Sequence, residues 1–166
     1  QIDCSLDAIS KGISRCASLT YLGDGGNGWD SHANNDEIQS ANFETLFSAL
    51  NRLMYQMQNT VDNQGNILSE NTVVVVFSEM GRTANLNGTL GKDHWPFTSV
   101  MICGKGITGD RVVGRFGSSY QGVDIDLNSA EESTGASVLS IDSVGGALLA
   151  LAGLDPTNIL LDSEPL

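Results

Sequence analysis

Thr72-Val73-Val74-Val75-Val76-Phe77 is the stretch on which the fold turns. A half-exposed strand alternates apolar and polar side chains, because successive residues point to opposite faces. An unbroken β-branched run instead predicts a strand covered on both faces, as in a parallel sheet between helices. Upstream, Phe43, Leu46, Phe47, Leu50, Leu53, Met54 and Met57 recur with a 3.6-residue period, so Asn42 to Thr60 reads as a helix packed on that sheet. Asp62-Asn63-Gln64-Gly65-Asn66 between them is turn chemistry. Downstream, a Gly- and Asn-rich loop over residues 81–91 leads to a second strand, Thr98 to Cys103. Further out, Ile2, Leu6, Ile9 and Ile13 predict a helix within residues 1–20. Asp142 is placed to cap a helix running to about Ala152, which Gly153 and Pro156 stop. Residues 104–135 are loop-rich. Helices and buried strands in alternation place the chain in the α/β class.

The composition narrows the functional classes. In 166 residues there are 8 Lys and Arg against 20 Asp and Glu, a formal charge of −12. That balance argues against nucleic acid or an anionic membrane as the main partner, since each needs a basic face. At 40% hydrophobic and 17% charged, the chain has the makings of a packed core and is not an acidic tail. No apolar run approaches the roughly 20 residues of a membrane-spanning helix. Lysine occurs only at Lys11, Lys92 and Lys105, while Ser, Thr, Asn and Gly abound, a composition common in exported proteins. The sequence starts at Gln1 without Met or a leader, which is read as processing or truncation. Of the three cysteines, Cys4 and Cys16 are close enough to close a short loop in an oxidising compartment. Cys103 reads as a buried small hydrophobe. Without the bridge, all three are free core thiols.

The two histidines lie outside apolar helical stripes, which weakens their reading as packed core residues. His32 stands in Trp29-Asp30-Ser31-His32-Ala33-Asn34-Asn35, and His94 in Gly91-Lys92-Asp93-His94-Trp95-Pro96. On an extended backbone, Asp30 and His32 share a face and can offer an oxygen and a nitrogen to one ion. His94 from a distant loop would complete a three-ligand site with an open position, the form of a catalytic divalent cation centre. In the competing arrangement, Asp30 only orients His32 and His94 lies elsewhere. Asp93 is a candidate acceptor for an imidazole N–H, or a ligand itself. Directly after the valine run comes Ser78-Glu79-Met80-Gly81-Arg82. Ligand groups gather beyond the carboxyl ends of parallel strands, so Glu79 is a candidate metal carboxylate and Arg82 an anion clamp. The plainer alternative is a loop ion pair between them, worth little.

The ordered set Trp29-Asp30-Ser31-His32-Ala33-Asn34-Asn35, Val74-Val75-Val76-Phe77-Ser78-Glu79-Met80-Gly81-Arg82 and Gly91-Lys92-Asp93-His94-Trp95 closely resembles the DUF1501 family. The resemblance runs from about residue 20 to the C-terminus and includes Gly104-Lys105-Gly106-Ile107 and Gly109-Asp110-Arg111-Val112-Val113-Gly114. It implies exported bacterial proteins related to the alkaline phosphatase and sulfatase superfamily. The implied fold is the C-terminal portion of an alkaline phosphatase-like sandwich, its central sheet mainly parallel and covered by helices. Residues 1–166 then form a single segment, with an N-terminal half, and the nucleophile it would carry, outside it. Such a segment would need that half or another subunit as its partner.

The superfamily binds two divalent cations. Carried onto this chain, one would take Asp30, His32 and His94. The other would take a strand-end pair that here reads Glu79-Met80. Glu79 suits a hard cation, whereas a thioether at Met80 suits neither zinc nor calcium. The ion itself could be Zn, Ca, Mg or Mn. Two functions follow as expectations: an exported metal-dependent hydrolase of phosphate or sulfate esters, or a surface or binding protein that keeps the fold without turnover.

Overall fold

The computed structural model describes residues 1–158. The chain divides into two compact units, Gln1–Lys105 and Gly106–Leu166. The first unit contains α1 (Ile2–Ser10), α2 (Asn35–Gln58), a 3-10 turn at Leu68–Glu70, β1 (Val73–Val76), β2 (Gly81–Arg82), β3 (His94–Trp95) and β4 (Met101–Gly104). The second contains β5 (Asp124–Ile125), β6 (Ser137–Val138), α3 (Ile141–Leu151) and a 3-10 turn at Pro156–Asn158.

The helix expected within residues 1–20 ends at Ser10. Gly12 stops it with a left-handed φ of +69°, donating its N–H to Ile9 O at 3.0 Å. Ile13, counted as the next apolar position, lies beyond the stop and is exposed. Helix α2 begins before its apolar period does, from Asn34 at its N-cap, and carries Asp36 and Glu37 in its first turn. Carboxylates there favour the positive end of the helix dipole. Its C-terminal half buries Leu53 and Met57 against Leu6 of α1 and Leu68, with Ile2, Ile9, Leu50, Met54 and Val74 packed around them. Asp3 ties the two helices together, accepting from Arg52 Nη2 at 2.7 Å and Gln56 Nε2 at 2.8 Å. The N-terminal half of α2 keeps Phe43 and Phe47 exposed, so the helix packs along only part of its apolar stripe.

The α/β class stands, but the mainly parallel central sheet is not what the strands form. Every strand pairing among the described residues is antiparallel. Strands β1 and β4 pair with Val74 opposite Cys103 and Val75 opposite Ile102. A parallel return needs a long crossover, usually through a helix. Here the connection from β1 to β4 holds no helix, only the short β2–β3 pair. The valines are half-buried rather than enclosed on both faces, and of the four only Val74 packs on the core cluster.

In the second unit, Ser140 rather than Asp142 caps α3, its side chain accepting from Ser143 N at 3.2 Å. Asp142 sits in the first turn instead. Cys4, within α1, and Cys16, beyond its glycine stop, are both free and exposed in this structure. Cys103 is free and half-buried in β4, and burial pushes its thiol pKa up. Among the described residues, no helix is long and apolar enough to cross a membrane.

Candidate functional site

Three separate segments of the first unit meet at the histidines. The first is the turn Trp29–Ala33, held from behind by a polar stripe on α2. Asn35, Gln39 and Asn42 lie at i, i+4 and i+7, so they share one helical face. Ser31 is fully buried and donates to Asn35 Oδ1 at 3.0 Å, while Gln39 Nε2 donates to Ser31 Oγ at 3.0 Å and Trp29 O at 3.2 Å. Asn42, 1% exposed, donates to Gly28 O at 2.8 Å and accepts from Asp24 N at 2.6 Å. These bonds shape the loop that delivers Asp30 and His32, and with Ser31 buried the i and i+2 side chains turn outward.

The second segment is loop 87–93. Its backbone lies directly on the first: Lys92 N donates to Ser31 O at 2.9 Å and Asn35 N to Leu90 O at 2.9 Å. A Cβ built on Gly91 would fall 1.9 Å from His32 O, so only glycine permits this approach. At this junction, where Leu90 bridges Ala33, Leu90 and Asn34 both adopt a left-handed backbone, with φ of 57° and 50°. For leucine that conformation is strained. The third segment is β2, whose pairing with β3 sets Arg82 opposite His94.

The outcome is a partly exposed cluster. The rings of His32 and His94 stand 4.8 Å apart between centres. Asp30 Oδ1 contacts His32 Nδ1 and also accepts from the His32 backbone N–H at 3.2 Å. Arg82 Nη1 lies 3.4 and 3.5 Å from the two ring nitrogens of His32 and donates to Lys92 O at 3.1 Å. Its Nη2 donates to Trp29 O at 3.3 Å and stands 3.7 Å from Asp30 Oδ1. With an ionised Asp30 accepting from Nδ1–H, the lone pair of His32 is left on Nε2. A concavity of about 210 Å³ opens on the Asp30–His32 side of the cluster, lined by Asn27, Asp30, His32, Ala33, Asn34 and Ile38. That is room for a small group rather than a drug-sized ligand, whose pockets run from about 300 Å³ upward.

The other nominated residues are placed differently. Glu79 is exposed, and the Ser78 hydroxyl donates to its Oε2 at 3.2 Å. Asp93 accepts from Asn87 Nδ2 at 3.1 Å and belongs to the loop junction. Among the described residues, no three His, Cys, Asp or Glu side chains already surround one point as metal ligands. The chemistry of Asp30, His32 and His94 nonetheless suits a divalent ion, and rings this close can each turn a nitrogen toward one centre at a metal–nitrogen distance of about 2.0–2.1 Å. Ser31, Gln39, Asn42 and Asn87 organise the cluster without having been nominated. The polar stripe on α2 was the available signal, since polar residues at helical spacing mark a face turned to something other than a dry core.

Residues 12–158 match the family described as proteins of unknown function, DUF1501. The chain belongs to that family. Neither the curated proteins nor the solved structures offer a match. The match to DUF1501 spans all three segments of the cluster, from Asp30 to His94.

The hydrogen bond from the His32 ring, followed by that from its backbone N–H, holds the Asp30 carboxyl below the usual aspartate range, with Arg82 adding a smaller pull. A depressed carboxyl pKa contributes to folding above the ordinary Asp value of about 3.9, and the contribution is lost as pH falls through the lower, folded value. In a carbon-13 NMR titration, the Asp30 midpoint is expected below that reference. In His32→Ala it should move up toward it. An unmoved midpoint would mean the ring does not hold the carboxylate in solution.

Proposed function

We propose that this chain carries the cation-binding portion of a site that hydrolyses phosphate or sulfate esters, with Asp30, His32 and His94 as ligands of a divalent ion. The observation that carries the reading is the meeting of the chain's two histidines, 4.8 Å apart and with Asp30 on one of them, from segments about sixty residues apart in sequence. The ion, whether zinc, calcium, magnesium or manganese, would lower the pKa of a nucleophile or water and neutralise charge on the transferred group. Without the ion Asp30 orients the His32 ring by its contact with Nδ1, and ligation by Asp30 would exchange that contact for one with the ion. Arg82, braced by the carbonyls of Trp29 and Lys92, keeps further N–H donors for a non-bridging ester oxygen. Glu79 would serve a second ion only after its loop turned inward.

The reading includes kinship with the alkaline phosphatase and sulfatase superfamily, and export from the cell. It also requires strands beyond the antiparallel pairs of the described residues, and a nucleophile from another segment or subunit. A second reading, a binding protein without turnover, is favoured by Met80 at the place of an imidazole ligand.

The test is metal content after loading with zinc, manganese or calcium and gel filtration, together with hydrolysis of aryl phosphate and aryl sulfate esters before and after chelation. Bound metal with chelator-sensitive hydrolysis is the expected result. Bound metal without hydrolysis favours the second reading. No bound metal overturns the proposal.

A further inference from the structure

We infer that Asn87 is the positioning residue of the histidine pair, the side chain that registers the His32 turn against the loop leading to His94. Its Nδ2 donates to His32 O at 3.0 Å and to Asp93 Oδ1 at 3.1 Å. One amide thus bridges the backbone of one histidine and the side chain next to the other. Its Oδ1 accepts from Thr89 N at 3.0 Å and Gly91 N at 2.9 Å. Thr89 Oγ1 in turn donates to His32 O at 2.7 Å. The same carbonyl is therefore held twice, once by Asn87 directly and once through Thr89. Asn87 also closes its own loop, its backbone N donating to Gly91 O at 2.8 Å.

Only an amide can do this. The task needs two donors on one atom and an acceptor of two bonds on the other, which neither a carboxylate nor a hydroxyl provides. The loop it closes contains the left-handed Leu90, and such a conformation persists only where the surroundings over-determine it. Asn87 touches neither imidazole and acts through backbone and neighbours. Its importance for catalysis rests on the ester-hydrolase reading, but the ring contact it maintains exists without any ion.

The experiment is a ring-to-ring nuclear Overhauser measurement on the metal-free chain, whose two histidines make the assignment simple. The wild type is expected to show a cross-peak between His32 and His94. Asn87→Ala should lose it. Asn87→Asp keeps the Oδ1 acceptor but sets a carboxylate against Asp93 and should lose it as well. The swap Asn87→Asp with Asp93→Asn restores a donor and acceptor across that contact but leaves a carboxylate facing His32 O, so it should not recover the cross-peak. A cross-peak that persists in Asn87→Ala and Asn87→Asp overturns the inference. So does a swap variant that recovers it, since the contact with residue 93 alone would then hold the register. If Asn87→Ala unfolds, the other two variants decide, and global unfolding of Asn87→Asp also overturns the inference, since the residue would then determine the fold rather than the register. Failure of metal binding with the cross-peaks behaving as expected would leave the inference standing and count only against the hydrolase reading.

Discussion

Gly91→Ala is expected to lower stability by about 3 kcal/mol or more and to separate the two histidines. The new methyl would lie 1.9 Å from His32 O, 2.0 Å from His32 C and 2.4 Å from Ala33 N. All three are backbone atoms, so no rotamer change relieves the clash. The 87–93 loop would have to lift off the Trp29–Ala33 turn. Lifting it would break Lys92 N to Ser31 O and Asn35 N to Leu90 O, both 2.9 Å. Buried backbone groups left without partners cost about 1–3 kcal/mol each. Gly88 in the same loop is the control, because a Cβ there meets nothing within 4 Å. Gly88→Ala should stay within about 0.5 kcal/mol of wild type. Denaturant midpoints for the two variants, at unchanged m-value, provide the measurement. Equal midpoints would show that the loop does not press on His32 in solution.

What was legible in the sequence divides along physical lines. Leu53 and Met57 could be placed in the core because a 3.6-residue apolar period reports directly on helix burial, and both are buried. The same period extended the expectation to Phe43 and Phe47, which are 45% and 54% exposed. Periodicity tells which face is apolar, not what covers it. Phe43 instead packs edge-on against Trp29 at 5.3 Å and stacks on Phe47 at 5.9 Å. The valine run marked a strand correctly, but strand direction lies in the connection. A loop whose only regular elements are two-residue strands has no period to read.

The site divides in the same way. His32, His94 and Asp30 stood out because titratable groups in glycine-rich loops have few structural explanations, and the structure brings the two rings and the carboxylate together. Glu79 was nominated from its place at a strand end, a rule that belongs to parallel sheets. Beside an antiparallel pair that rule no longer directs it toward the histidines. Asn87 gave no signal, since one asparagine in an Asn- and Gly-rich loop looks like any other turn residue. Its role depends on which carbonyl the amide meets, and that is settled by tertiary contact.

Replacing His94 and replacing Arg82 should move cation affinity in opposite directions. His94→Ala removes an imidazole from the proposed trio. Even outer-shell partners of metal ligands are worth about 10–100-fold in affinity, so loss of a ligand should weaken binding by about 100-fold or more. Arg82 presents a fixed positive charge 3.5 Å from His32 Nε2 and 3.7 Å from Asp30 Oδ1, where it competes with any cation for the same electron pairs. At an effective dielectric constant of about 20, like charges a few ångströms apart repel by a few kcal/mol, and exposure of the cluster screens much of that. Arg82→Ala should therefore tighten cation binding by about tenfold, although it also unties the carbonyls of Trp29 and Lys92. Arg82→Lys keeps the charge on a compact ammonium that lacks the planar fork needed to reach both carbonyls at once, and should give no such gain. Isothermal calorimetry with zinc or manganese, at fixed ionic strength, separates these outcomes. If His94→Ala binds as tightly as wild type, Asp30, His32 and His94 share no ion. If Arg82→Ala weakens binding as much as His94→Ala does, the guanidinium is a brace for the ligands rather than a rival of the cation.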